Sequence, residues 1–422
     1  MNLRQLSIGA VAFVGLMHRL PATNFEPELH VRAGLPRLAA LTQSSTAKTE
    51  LRVAYLGGSI TAAGNGWRTL TTDSLRNRFP NCSIIEINAG LPGTGSNLGA
   101  CRLSYDVLRH RPDLLFVEFA VNDTGAPSDR IERTMEGIVR QTWHVDPRTD
   151  ICFVYTVSTP HVAVLQAGEF PPSARAMEKV ASRYQIPSIH FGVDVVRQLA
   201  TGDLIFKGGS SDDPSKIFSL DGVHPTAAGH QIYFNAIERS LPSLMMGPRS
   251  DNHALPAPLH ADNWENASLL LVDDLTRTGE WIQVPPGDPN LRGTTKNLLP
   301  PTWRATTPGS RVAFAFHGRC FGLLGIAAPD NGEFRVTVDD LLPVTATFFD
   351  GYVSPTFCRQ REWFFPAPLA DGPHRVVVEL LPTIVAKEEI KTKAGKPIDD
   401  LAPFSANTLT LCGALIVGSR LP

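Results

Sequence analysis

Between residues 51 and 240, two patterns of hydrophobic and polar positions alternate along the chain. Short continuous apolar runs predict buried strands, and the stretches between them have the spacing of amphipathic helices. The strands are predicted at 52–56, 83–87, 114–119, 151–155 and 188–191, and the helices near 67–79, 97–110, 129–143, 173–185 and 226–239. Regular alternation of this kind is typical of a parallel sheet with helices on both faces. This part is therefore predicted to be a three-layer α/β/α sandwich.

The pattern changes after about residue 240. Residues 241–262 are rich in Pro, Gly, Asn and His, and are interpreted as a linker or surface segment. Short β-type runs follow at 268–272, 311–316, 334–338, 375–380 and 408–417, separated by Pro, Gly and Asp turns. Short strands without helical periodicity predict a smaller all-β sandwich domain, jelly-roll-like, over residues 263–422. The charged stretch 387–396 is interpreted as a solvated loop.

The first fifty residues precede the alternating region. An apolar run at 6–17 behind Arg4 has the length of a signal-peptide core and is too short to span a bilayer. Residues 1–20 are accordingly interpreted as a signal peptide, or alternatively as an N-terminal helix that packs on the body, and residues 21–50 as an N-terminal extension. A secreted or periplasmic location is favoured, with the cytoplasm as the alternative.

Composition narrows the class of partner. Hydrophobic residues make up 43% and charged residues 19% of the chain, as in ordinary globular proteins. A net charge of -2 gives no reason to expect nucleic acid or an anionic membrane surface as partner, and no stretch is long enough for an integral membrane span. The six cysteines include no C-x-x-C pair, so neither a zinc site nor a thioredoxin-like motif is predicted. Export would allow one or two disulfides. The oligomeric state is left open.

The first strand ends at Gly57-Gly58-Ser59. Two glycines permit a tight turn from strand to helix, which would place Ser59 at the carboxyl edge of the sheet, a suitable position for a nucleophile. The structural alternative is a serine that caps a helix. The motif is not the G-x-S-x-G elbow of α/β-hydrolases, because position 61 is a threonine.

Two more polar groups are predicted at the same edge of the sheet. The second strand runs into a glycine-rich loop at 88–96 that contains Gly93, and the free N–H groups of such a loop can hold a phosphate or an oxyanion. The third strand is followed by Asn122, whose side-chain NH₂ is a suitable oxyanion donor, with a simple turn as the alternative. No G-x-G-x-x-G follows the first strand, so a dinucleotide cofactor is not predicted.

Residues 221–225 read D-G-V-H-P and precede an apolar helix. This spacing brings Asp221 and His224 onto one short loop, where a carboxylate can fix the tautomer of an imidazole. A metal site is the alternative, but no second His, Asp or Glu group has suitable ligand spacing, so no metal is predicted.

Trp67 and Arg68, just past Ser59, are candidate substrate-binding residues, with aromatic packing and a surface cation as the alternatives. Structural roles are favoured for the remaining polar candidates, which are His230, Glu118 and Arg102.

The ordered set of these motifs resembles the SGNH, or GDSL, hydrolase superfamily over roughly residues 51–240. Residues 57–61 match its first block, Gly93 the glycine of its second, Asn122 the asparagine of its third, and residues 221–225 its D-x-x-H-P block. The usual G-D-S is G-G-S here, as in a branch of the superfamily that has G-G-S-I-T. The replaced aspartate is not a triad member in that superfamily, so the departure leaves the expected activity intact.

The resemblance implies a flavodoxin-like sheet and a site without metal or cofactor. Ser59 would be the nucleophile, His224 the general base and acid, and Asp221 the group that orients the imidazole. The backbone N–H groups of Ser59 and Gly93 and the side chain of Asn122 would form the oxyanion hole.

The superfamily acts on many esters, so the fold leaves the substrate open. A β-sandwich beside an esterase domain resembles the accessory modules of polysaccharide-active enzymes, and Trp303, Tyr352 and Trp363 are candidates to stack on sugars or to fill the β core. The expected function is hydrolysis of acetyl esters on a carbohydrate or glycoconjugate, with a small ester or acylated glycan as partner. The alternatives are a lipid-ester esterase or lysophospholipase, an acyltransferase using the same site, and a carbohydrate-binding protein with weak hydrolase activity.

Overall fold

The computed structural model describes residues 27–43, 49–247, 252–253, 255–288, 291–293 and 298–422. The predicted leader at 1–20 lies outside the described residues. Within them, no helix combines the length and the apolar character that crossing a membrane requires.

A six-stranded sheet forms the centre of the first domain. Its strands are β1 (Leu29–His30), β2 (Thr49–Gly57), β3 (Cys82–Gly90), β4 (Leu114–Glu118), β5 (Asp150–Tyr155) and β6 (Ser188–His190). They lie in the order β1-β6-β5-β4-β2-β3, and all neighbours are parallel except β1 and β6. The five parallel strands thus have the flavodoxin-like order that was predicted. Later in the chain, β7 (Ile205–Lys207) and β8 (Ile217–Ser219) form a separate pair of short parallel strands.

Helices cover both faces of the sheet. They are α1 (Pro36–Gln43), α2 (Ser59–Ala62), α3 (Trp67–Arg78), α4 (Ser96–Asp106), α5 (Ser128–Val145), α6 (Thr159–Gln166), α7 (Pro172–Arg183), α8 (Phe191–Thr201) and α9 (Ala227–Met245). Alternate residues of β2 separate the two cores: Ala54 and Leu56 pack with α4, α5 and α7, whereas Val53 and Tyr55 pack with α1, α3, α8 and α9. The predicted three-layer sandwich is confirmed.

The N-terminal extension belongs to this domain. Strand β1 adds an antiparallel edge to the sheet, and α1 is fixed by the buried carboxylate of Asp150, which accepts hydrogen bonds from the N–H groups of Arg37 (3.2 Å) and Leu38 (2.8 Å). At the other end, α9 continues past the predicted boundary at 240. Described residues of the predicted linker pack on α5, where the N–H of His260 donates to the carboxylate of Glu136 (3.0 Å).

The second domain is an antiparallel β structure. Its strands are β9 (Ala267–Leu271), β10 (Thr276–Thr278), β11 (Ile282–Val284), β12 (Thr302–Ala305), β13 (Arg311–Ala327), β14 (Glu333–Val338), β15 (Val344–Thr347), β16 (Arg359–Phe364), β17 (Gly372–Leu380) and β18 (Leu409–Leu421). All pairs among them are antiparallel. The predicted all-β domain is confirmed.

The interpretation of residues 387–396 as a solvated loop was wrong. The structure has a helix here, α10 (Lys387–Lys393), and two of its lysines are buried. Lys387 donates to the carbonyls of Phe404 (2.7 Å) and Ala406 (3.0 Å). Lys391 donates to the carbonyls of Gly351 (3.2 Å) and Val353 (2.9 Å). The lysines therefore satisfy buried backbone carbonyls instead of facing water.

The long strand β13 connects the β domain to the α/β domain. Its inward-facing residues alternate up to Gly318, where an irregularity in the pairing with β18 interrupts the ladder. From Phe321 onward both faces of the strand are buried. Phe321 and Leu323 enter the core of the β domain, whereas Leu324 and Ile326 join the core that contains α4, α5 and α7. One of the hydrophobic cores, the one that contains α4, α5 and α7, therefore includes residues of both domains.

Candidate active site

Ser59 follows the carboxyl end of β2 and begins the short helix α2. The turn is tight enough that its glycines cannot be replaced without collisions. A methyl group on Gly58 would overlap with the side-chain amide of Asn122, and one on Gly57 would overlap with the hydroxyl of Thr61. Because β2 lies between β3 and β4, the turn opens at the point where the strand order reverses, which is where open α/β sheets form their sites.

Three of the predicted site residues form a continuous chain of hydrogen bonds. The hydroxyl of Ser59 lies 2.8 Å from Nε2 of His224, and Nδ1 of His224 lies 2.6 Å from Oδ2 of Asp221. The other oxygen of Asp221 accepts from the backbone N–H groups of Val223 and His224, both at 2.8 Å. Partial burial by itself raises the pKa of Asp221, but these hydrogen bonds outweigh it and hold the pKa well below its usual range.

The loop that carries Asp221 and His224 is fastened to the start of α6. The backbone N–H and the hydroxyl of Thr159 both donate to the carbonyl of Gly222, at 2.9 and 3.0 Å. Gly222 has a φ of +82°, and a side chain there would also overlap with Thr159. The glycine of the D-G-V-H motif is therefore required by both the backbone conformation and the close approach of α6.

Asn122 and Gly93 lie on the two loops that flank the nucleophile turn. The amide of Asn122 packs directly against Gly58, and Gly93, which has a φ of +72°, is the exposed residue of the loop before α4. The adjacent Asp123 connects the two loops, because its Oδ1 accepts from the N–H of Ser96 at 3.0 Å. Burial raises the pKa of Asp123 to about 6. The structure thus brings the predicted oxyanion residues to the same edge of the sheet.

Glu118, the last residue of β4, lies beneath the nucleophile turn and is fully buried. Its carboxylate accepts from the hydroxyls of Thr61 (2.9 Å) and Thr156 (2.6 Å), and from the backbone N–H of Gly58. Burial raises its pKa above the usual range, although these three donors oppose the shift. Glu118 therefore has the structural role that was predicted. Its carboxylate binds the turn at Gly58 and at Thr61.

Trp67 and Arg68 do not reach the opening of the site. Trp67 is 0% exposed and packs against the rings of Tyr55, Phe116 and Phe191. Arg68 is also buried: its Nε donates to the carbonyl of Thr61 at 2.9 Å, and it forms an ion pair with Glu86. The interpretation of these two as substrate-binding residues is corrected, because neither side chain can contact a substrate in this structure.

The three aromatic residues of the β domain have different environments. Trp363 packs against its hydrophobic core, and Trp303 lies under the guanidinium of Arg277 while its indole N–H donates to Asp273 (2.7 Å). Tyr352 is 62% exposed, and the guanidinium of Arg359 lies 5.5 Å from its ring centre. Tyr352 is the most exposed of the three, since Trp303 and Trp363 are half-buried.

Arg359 is a site neighbour that the sequence analysis missed. Its guanidinium lies against Gly93, so the β domain borders the predicted oxyanion loop. No pattern in the sequence links these two positions, which come from different domains.

The described residues contain neither a cluster of metal ligands nor a disulfide. Among the residues that the structure describes, no three His, Cys, Asp or Glu side chains are grouped to hold a metal ion. All six cysteines are described, and each is a free thiol.

The strand order of the sheet and the grouping of Ser59, Asp221 and His224 at its edge are those expected of an SGNH-type hydrolase. The model of the GDSL-like lipase/acylhydrolase family matches residues 55–232, a range that contains Ser59, Gly93, Asn122, Asp221 and His224. The chain carries a GDSL-like lipase/acylhydrolase domain, as the resemblance predicted, and the protein is a carboxylic ester hydrolase.

Solved structures share both domains. The crystal structure of a two-domain esterase, CEX, active on acetylated mannans and co-crystallised with mannopentaose, superimposes with a TM-score of 0.68 at 18% identity, covering 94% of this chain and 98% of that one. Another crystal structure of a two-domain esterase (CEX) active on acetylated mannans gives 0.67 at 18% identity, covering 93% and 97%. The likeness shows that the two-domain fold is shared. A search of curated protein sequences found no match.

Proposed function

We propose that the protein is a serine esterase that removes acetyl groups from a carbohydrate or glycoconjugate. The observation that carries the proposal is the hydrogen-bonded chain from Ser59 through His224 to Asp221. Its order and distances are those of a nucleophile, a base and an orienting carboxylate.

The reaction has two halves. The hydroxyl oxygen of Ser59 attacks the acetyl carbonyl carbon while Nε2 of His224 accepts the hydroxyl proton. Collapse of the tetrahedral intermediate breaks the bond to the sugar oxygen, which leaves with the proton from His224, and an acetyl-serine remains. Water then attacks this ester, His224 takes its proton and returns it to Ser59, and the acetic acid released gives up its own proton to solvent as acetate. Asp221 stays ionised and stabilises the imidazolium that forms in each half.

The oxyanion of both intermediates would be stabilised by three donors. They are the backbone N–H groups of Ser59 and Gly93 and the side-chain NH₂ of Asn122. The packing of Asn122 against Gly58 supports this assignment, because it brings the amide beside the backbone of the nucleophile turn. Preorganised donors of this kind supply a large part of catalysis in acyl transfer.

Two features favour a large alcohol as one half of the ester. The site is open, with the side chains of His224 and Asp221 53% and 55% exposed, so a polymer can approach it. The exposed ring of Tyr352 lies on the β domain next to Arg359, which itself contacts Gly93, and an exposed aromatic ring is a suitable platform for a sugar. The two-domain fold shared with esterases active on acetylated mannans supports the same substrate class.

The test compares acyl length and substrate type in one series. The wild type and Ser59→Ala are assayed on p-nitrophenyl acetate, butyrate and octanoate and on acetylated mannan, with the exposed Ser182→Ala as a matched control. We expect a preference for acetate, release of acetate from the polysaccharide, and loss of both activities in Ser59→Ala alone. Hydrolysis that persists in Ser59→Ala would disprove the mechanism.

Other outcomes identify the alternatives. Preference for octanoate would indicate a lipid-ester esterase, and transfer of the acetyl group to an added alcohol in preference to water would indicate an acyltransferase. Retention of mannan by Ser59→Ala, together with negligible turnover by the wild type on every ester, would indicate a binding protein.

A further inference from the structure

We propose that Arg359, in the β domain, is a positioning residue of the esterase site that fixes the loop carrying Gly93. The inference rests on the proposed function, because it assigns Gly93 to the oxyanion hole. It makes the second domain part of the catalytic machinery itself, for any ester, and not only a surface that holds a glycan.

The guanidinium of Arg359 occupies the space over Gly93. A methyl group on Gly93 would overlap with Nη1 of Arg359 and lie 3.7 Å from its Cζ. Apart from its neighbours in the chain, no other described residue comes within 4 Å of that methyl position. Gly93 is the exposed point of its loop and has a φ of +72°, whereas Leu91 and Thr94 on either side are buried and joined by a hydrogen bond from the Thr94 hydroxyl to the Leu91 carbonyl, at 2.8 Å. Arg359 is therefore the side chain that limits movement of this loop toward the β domain.

Arg359 is itself held rigidly. Its Nε and Nη2 both donate to Oδ2 of Asp350, at 2.8 and 2.5 Å, which leaves Nη1 directed at Gly93. Oδ1 of Asp350 accepts from the N–H groups of Tyr352 (2.8 Å) and Val353 (3.2 Å). The side chains of Asp350 and Arg359 are 10% and 20% exposed, so this pair is better shielded from solvent than an ordinary surface ion pair.

The support extends one layer further into the β domain. Lys391 of α10 donates to the carbonyls of Gly351 and Val353, on the same turn whose N–H groups bind Asp350. The buried Lys391 of α10 thus fixes the turn, the turn fixes Asp350, and Asp350 fixes the guanidinium that faces Gly93. Each step is a hydrogen bond or a direct contact, so the position of the oxyanion loop depends on the folded β domain.

A small ester separates positioning from glycan binding. p-Nitrophenyl acetate has no sugar, so a residue that only contacts the glycan leaves its hydrolysis unchanged. We expect Arg359→Met to lower kcat on p-nitrophenyl acetate by about 10- to 100-fold with KM within about twofold, because a donor displaced by a fraction of an ångström loses transition-state stabilisation. Arg359→Lys should recover part of the loss. The exposed Arg319→Met on the same domain is the matched control and should retain wild-type kcat.

A double-mutant cycle tests the contact directly. Gly93→Ala places a methyl group against Arg359 in the wild type but into free space in Arg359→Ala. The fold-loss in kcat caused by Gly93→Ala should therefore be smaller in the Arg359→Ala background, although the strain of a positive φ remains in both. Equal losses in the two backgrounds would contradict the contact.

The outcomes distinguish this inference from the function on which it rests. If the wild type hydrolyses p-nitrophenyl acetate through Ser59 but Arg359→Met keeps its kcat within about twofold, the positioning role is wrong and the esterase stands. A change confined to KM for acetylated mannan would identify a glycan contact instead. Absence of Ser59-dependent hydrolysis in the wild type would overturn both.

Thermal unfolding of each variant establishes that it is folded. Asp350→Asn, which frees the guanidinium of Arg359, should repeat the kcat loss of Arg359→Met.

Discussion

The carboxylate of Asp123 accepts a hydrogen bond from the backbone N–H of Ser96, at 3.0 Å, and so joins the loop of Asn122 to the loop of Gly93. Burial raises the pKa of Asp123 from 3.8 to about 6. The folded protein therefore retains a proton that the unfolded chain releases near pH 4, and ionisation of Asp123 lowers stability as the pH rises from about 4 to about 6.

This sign gives a prediction for Asp123→Asn. The difference in unfolding free energy, variant minus wild type, should rise with pH across that range by at most about 3 kcal/mol and then level off, because the amide keeps an acceptor for Ser96 without carrying a charge. Urea unfolding at several pH values measures it. A difference that is constant with pH would show that Asp123 is not the titrating group.

Asn122→Ala should lower kcat strongly while leaving the protein folded. Removal of one oxyanion donor typically costs about 2.7–4 kcal/mol of transition-state stabilisation, or a factor of about 10²–10³ in kcat. KM for a small ester should change little, since the donor acts on charge that develops only in the transition state. The exposed Asn235→Ala is the control, and an equal effect on KM and kcat would argue against an oxyanion role.

Asp221→Asn should reduce kcat by about 10⁴-fold, because an amide can no longer fix the tautomer of His224 or stabilise its charge. The pKa of Asp221 is held well below its usual range, so it stays ionised at every pH above the ordinary carboxylate range. Protonation of Asp221 should therefore make no contribution to the fall in wild-type activity between pH 7 and pH 5. Steady-state kinetics against pH test both statements, with the exposed Asp73→Asn as control.

Two replacements of Glu118 should show whether its side chain acts as a hydrogen-bond acceptor or only fills space. Glu118→Ala leaves the hydroxyls of Thr61 and Thr156 and the N–H of Gly58 without their acceptor, and each buried unpaired donor costs about 1–3 kcal/mol. Glu118→Gln keeps one acceptor oxygen, and a hydroxyl can turn to accept from its NH₂. We expect the alanine variant to lose much more stability and kcat than the glutamine variant. Equal losses would mean that the hydrogen bonds are unimportant.

Trp67→Ala should act through folding alone. The ring is fully buried among three other aromatic rings, and deletion of such a side chain typically costs about 3–5 kcal/mol of stability. At a temperature where the variant is folded, KM for esters should match the wild type. The control is Trp303→Ala, at a partly exposed position in the β domain. A raised KM for Trp67→Ala with normal stability would restore the substrate-binding interpretation.

The α/β domain was predictable because its pattern is local. The apolar runs at 53–56, 114–117 and 151–155 each lie inside a parallel strand, and the strand order then gathers the carboxyl ends of these strands at one edge. Ser59, Asn122 and His224 could therefore be assigned to one site from the order of their motifs. The structure adds what lies under that edge, where Glu118 and Asp123 bind backbone N–H groups of the turns.

Other features depend on contacts that no local pattern records. Trp67 looked like a site residue because it follows Ser59 closely in the chain, but α3 turns it into the core. Lys387 and Lys391 of α10 were expected to be solvated because charged side chains usually are, and only the folded β domain provides the carbonyls to which they donate. Arg359 meets Gly93 across the two domains, so its position follows from the tertiary fold alone.

From Phe321 onward, strand β13 contributes side chains to both cores, and this limits how the protein can be divided. A cut between the domains would leave Leu324 and Ile326 on one fragment, and their apolar partners in α4 and α5 on the other, exposed to water. In the intact chain, the two domains should therefore unfold together in a single cooperative transition. Each domain expressed alone should aggregate. A lineage that inherits this chain cannot readily exchange its second domain as an independent module, because the same strand completes the interior of the enzyme.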